Sequence, residues 1–95
     1  MLNKAEKAPD EVIAEVTLRE LLSRVLGLAE SQVSGFAEST ALFGSLPEFD
    51  SMAVANFLTA LEERLGILIE DDDVDAEDFA SFGSLLAIVD RLQSR

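Results

Sequence analysis

Three stretches of this chain place apolar side chains three, four and seven positions apart, and that spacing limits what it can fold into. Leu18, Leu21, Leu22, Val25 and Leu26 form the first stripe; Met52, Phe57, Leu58, Leu61 and Leu65 the second; Phe82, Leu85, Leu86, Val89 and Leu92 the third. Each stripe covers one side of an α-helix, which needs another apolar face to pack on. The expected fold is all-α: a small helical bundle of three main helices plus one short helix, with a long first loop.

Residues that start and stop helices give the boundaries. Pro9-Asp10-Glu11 suits a helix opening, and Thr17 with Glu20 would suit a later one; Ile13 and Val16, which call for burial, favour a first helix over about 10–26. Gly27 ends it. Asp50 and Ser51 can both cap a helix over 51–65, closed by Gly66. A short helix over about 75–80 presents Phe79, and Ser81 caps the last helix. The connection over 28–50 exceeds ordinary interhelical links. Its apolar residues Val33, Phe36, Leu42, Phe43, Leu46 and Phe49 imply that it lies across the core, with a short helical turn over 38–43. Residues 1–8 read as a flexible N-terminal tail ahead of one domain over 9–95.

The chain has 95 residues, 48% of them hydrophobic, with 5 Gly and 2 Pro, enough apolar material for one compact core and too little length for a large internal active site. Asp and Glu number 19 against 7 Lys and Arg, a net charge of −12, and Arg64 is the only basic residue between Glu30 and Asp90. Such a surface repels nucleic acid and steers basic protein surfaces toward it. His and Cys are both missing, which removes the usual general base, thiol nucleophile and soft-metal ligands. The chain is therefore not expected to be an enzyme. With no apolar run long enough to span a bilayer and no signal-peptide core, it is expected to be a soluble, cytoplasmic monomer.

The candidate site is Asp50-Ser51. A helix start carries partial positive charge and unpaired N–H groups, so a serine held there suits a phosphate ester. By itself the pair is a weak sign, because Asp-Ser at a helix start is usually only a cap. Asp71, Asp73 and Asp75 match the first ligands of a calcium loop, but Ala76 and Phe82 stand where Gly and Glu are required, so no metal is expected. Glu62 and Glu63 sit where a helix dipole prefers cations, as surface charge or as a docking patch for a basic partner.

Taken together these residues resemble the acyl carrier protein family. Leu18-Arg19-Glu20-Leu21-Leu22 through Leu26-Gly27-Leu28 is similar to its first helix, Asp50-Ser51-Met52 to its Asp-Ser-Leu signature, and Ala60-Leu61-Glu62-Glu63-Arg64-Leu65 with Ile67 and Ile69 to the end of its second helix. The resemblance implies a non-catalytic carrier, in which a phosphopantetheinyl transferase esterifies Ser51 with 4′-phosphopantetheine from coenzyme A. Asp50 would help present Ser51, beside Met52. Glu62 and Glu63 match acidic docking positions for acyl-loading and acyl-transferring enzymes with basic surfaces, and the acyl chain would lie among Phe57, Leu61, Ile69 and Phe79. Ala55 and Asn56 join Glu62 and Glu63 as partner-docking positions, and with Ala53 they stand where housekeeping members carry more acid, which points to a dedicated carrier in a fatty-acid, polyketide or other specialised lipid pathway. The alternatives are an aminoacyl or peptidyl carrier, or an acidic helical interaction domain with no prosthetic group.

Overall fold

The computed structural model describes residues 9–94, with side chains from residue 14 onward. The tail expected over 1–8 and the burial expected of Ile13 lie outside the described residues. Four α-helices follow in order: α1 (Pro9–Leu26), α2 (Glu30–Ser34), α3 (Ser51–Leu65) and α4 (Phe82–Gln93), with 3-10 turns at Asp71–Asp73 and Ala76–Phe79 between the last two. Among the described residues there is no strand, and no helix is long and apolar enough to cross a membrane.

The three long helices pack as their stripes require. Leu18, Leu21 and Leu22 of α1, Phe57 and Leu61 of α3, and Phe82, Leu85, Ile88, Val89 and Leu92 of α4 are buried in one core. Gly27 and Gly66, at φ +69° and +67°, end α1 and α3 in the left-handed conformation that glycine adopts without a Cβ clash. Two expectations of burial fail on angle. Val16 is 49% exposed: two residues before Leu18, it lies about 200° around α1 from that core contact. Met52 is 74% exposed, about 140° around α3 from Phe57, and contributes nothing to the core.

The long connection crosses the core on Val33, Phe36, Leu42 and Phe49, all buried, with Leu46 half-buried and Phe43 37% exposed. Its helical turn is α2, not the stretch 38–43. Arg19 holds α2 in place: its guanidinium donates to the carbonyls of Val33 and Phe36 and to Glu15, and stacks on the Phe82 ring with its carbon 4.5 Å from the centroid. Residues 38–43 instead form a strap against the start of α4. Leu42 and Phe43 N–H donate to the Ala80 and Phe79 carbonyls, and Phe82 and Gly83 N–H donate to Thr40 and Glu38, each at 2.9 Å. Backbone groups used across the strap are not available along a helix.

The acidic run after α3 has a local use. Asp73 accepts from the Glu70 N–H and Asp78 from the Asp75 N–H, both at 2.8 Å, in reciprocal capping boxes that close the two 3-10 turns. Among the described residues no acidic group is arranged to hold a metal ion.

Candidate functional site

Ser51 is the first residue of α3, and its surroundings explain its position. Phe49, buried two residues earlier, packs edge-on against Phe43, Phe57 and Phe79 with ring centroids 6.0–6.2 Å apart. Each such contact contributes about 0.5–1.5 kcal/mol beyond area burial. Successive turns lead up to it: Leu46 N–H donates to the Leu42 carbonyl at 2.8 Å and Phe49 N–H to Leu46 at 3.0 Å. The chain therefore reaches α3 from a fixed anchor. Asp50 is the cap, with extended backbone and a carboxylate Oδ1 that accepts from Ala53 N–H at 2.9 Å. Asp50 takes that role alone. Ser51 is exposed, and its hydroxyl has no hydrogen-bond partner among the described residues.

Beside Ser51 two hollows open. Val54 and Leu58 of α3 face Val74, Ala76 and Phe79 across a cleft of about 220 Å³, whose lining also includes Ser51 and Phe43. A shallower furrow of about 380 Å³ runs along the loop 43–51, past Ser45, Leu46 and Phe49. The donor set fits a phosphate ester bearing a long arm: a free hydroxyl, the unpaired first N–H groups of a 15-residue helix, and an apolar trough alongside.

The other expected site residues fall in three groups. Of the four acyl-pocket candidates only Phe79 lines the cleft. Phe57 and Leu61 are core side chains with no open surface beside them, and Ile69 is half-buried away from it. The rest of the cleft's lining is Val54, Leu58, Val74, Asp75 and Ala76, with Ser51 and Phe43. Val54 and Leu58, four apart, flank the buried stripe of α3, the one sign in the sequence that could have marked them. On the outer face of α3, Ser51, Met52, Ala55, Asn56 and Glu63 are exposed and fall within about 140° of the helix circumference. Glu62 is committed elsewhere: its Oε2 accepts from Ile69 N–H at 2.8 Å, clamping the segment after α3. That bond explains an acid near the C-terminal end of a helix.

A family model described as "Phosphopantetheine attachment site" matches residues 16–92. The solution NMR structure of a holo acyl carrier protein from Nitrosomonas europaea is similar, at 38% sequence identity and a TM-score of 0.75, covering 86% of this chain and 96% of that one. No curated protein matches the chain.

Proposed function

Because the chain belongs to the acyl carrier protein family, whose prosthetic group is covalent 4′-phosphopantetheine, we propose that Ser51 holds that group and that the protein serves one dedicated lipid pathway. The observation that carries this reading is the division of labour at the start of α3. Asp50 satisfies Ala53 N–H, so the Ser51 oxygen is left exposed and unbonded. In the attachment step the Ser51 oxygen bonds to the β-phosphorus of coenzyme A and the pyrophosphate P–O bond breaks. Adenosine 3′,5′-bisphosphate leaves with the electron pair, and the hydroxyl proton passes to a base on the transferase. When bound, the group supplies a terminal thiol, which a chain without Cys lacks, and acyl cargo rides on it as a thioester.

The chain's own residues do the rest. The first N–H groups of α3 would favour the negative charge of a phosphate ester on Ser51. The outer face of α3 offers a partner an apolar contact at Met52, small neutral surface at Ala55 and Asn56, and a free acid at Glu63. Charge on that face is sparse beside a net −12, so long-range steering of basic partners comes from the whole surface and close fit from Met52 and its neighbours. That sparseness supports a carrier with its own partner enzymes over one serving bulk fatty-acid synthesis.

The test is an intact mass after incubating the apo protein with coenzyme A, magnesium and a promiscuous phosphopantetheinyl transferase. The expected result is a gain of one phosphopantetheine that vanishes in Ser51→Ala. An unchanged mass across a panel of transferases, or the same gain in Ser51→Ala, refutes the assignment. Loading with acyl against aminoacyl donors then reads the class of cargo.

A further inference from the structure

The cleft and the furrow share two lining residues, Ser51 and Phe43. Ser51 is the point from which an arm would leave, so Phe43 is the side chain that stands between the two places the arm could go. Its position is held from two sides. The N–H of Phe43 donates to the Phe79 carbonyl at 2.9 Å, so its backbone is tied to the residue that lines the cleft opposite α3. Its ring meets Phe49 edge-on at 6.2 Å and 84°, against the buried anchor of the loop. A ring held this way is a wall, and the hollows it divides differ. Val54, Leu58, Val74, Ala76 and Phe79 line most of the cleft, with Asp75 among them, whereas the furrow runs over Gly44, Ser45 and Pro47 to Asp50.

We propose that Phe43 is a specificity-determining residue: its ring closes the cleft off from the furrow and so limits the acyl chain that can be sheltered beside Ser51. The inference rests on Ser51 being the attachment residue. A methylene takes up about as much space as a water molecule, roughly 30 Å³, so a cleft of about 220 Å³ shelters only a short chain. Longer chains meet the Phe43 ring and must leave their ends in water. Without the ring the two hollows join and the limit moves to longer chains.

The test loads the full-length holo protein with saturated acyl groups of increasing length, about C4 to C16, and reads Tm relative to the unloaded holo form. Burying each methylene in the folded state alone raises Tm by roughly 3–6 °C. In the wild type the rise should stop near the length that fills the cleft. In Phe43→Ala it should continue over several more carbons, and in Phe43→Leu, which keeps an apolar wall, it should stop close to the wild-type length. Phe43 is 37% exposed, so neither variant empties the core. The same stopping length in wild type and Phe43→Ala overturns the proposal, as does a wild-type rise that continues to C16. Failure to acquire the prosthetic group at Ser51 overturns the attachment reading and this inference with it. Normal acquisition with unchanged stopping lengths overturns this inference alone.

Discussion

Gly83→Ala is a one-carbon change that should unfasten the strap behind the cleft. Gly83 lies in the first turn of α4, and a Cβ built there would stand 2.8 Å from the Glu38 carbonyl oxygen and 3.3 Å from its carbonyl carbon. Those atoms belong to the strap backbone, and the same oxygen accepts the Gly83 N–H at 2.9 Å, so no side-chain rotation relieves the contact. Forcing a methyl into such a space costs about 1–3 kcal/mol. Losing the Glu38 and Thr40 bonds adds about 1 kcal/mol each. The better helix propensity of alanine returns at most about 1 kcal/mol. The net is a loss of about 2–4 kcal/mol, which for a domain of this size lowers Tm by roughly 8–30 °C. Urea unfolding gives the free energy, and amide exchange at Leu42, Phe43, Phe82 and Gly83 locates it. Gly66→Ala is the comparison: a Cβ at Gly66 meets nothing within 4 Å, so only its φ of +67° opposes the change, at about 1–2 kcal/mol. A Gly83→Ala protein as stable as wild type, or with its loss shared evenly over all amides, refutes the reasoning.

Asp50→Ala should cost about 0.5–2 kcal/mol by urea unfolding, while Ser51→Ala should stay within about 0.5 kcal/mol of wild type; equal losses would contradict the cap assignment. Arg19→Lys should lose about 2–3 kcal/mol despite keeping the charge, because an ammonium cannot bond both α2-side carbonyls and stack on Phe82. A melting temperature unchanged in that variant would remove Arg19 as the holder of α2. Added sodium chloride should raise Tm, since a net charge of −12 repels itself at low ionic strength; a flat response between 0.05 and about 0.5 M would refute that.

How much could be read from residues alone differed by segment, for physical reasons. In α3 an acidic cap, an apolar stripe and a closing glycine agree, and the observed Ser51–Leu65 equals the expected span. The same stripe misplaced Met52, because spacing records which residues are apolar and only helix angle says which way they point. The residues of the long connection suggest a helical turn over 38–43. It forms at Glu30–Ser34, which has no side-chain cap and depends on Arg19 reaching across from α1. That contact spans 14 residues in sequence and has no local signature. The cleft is half legible for a similar reason: the sequence points to Phe79, but Val74 and Ala76 stand inside an acidic run, and only folding brings them opposite Val54 and Leu58.

Two adjacent side chains at the start of α3 are placed differently: Asp50 keeps the helix start, and Ser51, the proposed attachment residue, makes no bond that the helix needs. A group joined to the Ser51 oxygen displaces no bond on which the folded state depends, because the neighbouring carboxylate already meets the amide that needs a partner. On the proposed attachment, installing the group leaves the Asp50 cap and its bond to Ala53 intact. A scaffold of 95 residues, with little stability to spare, can be reused through many rounds on those terms.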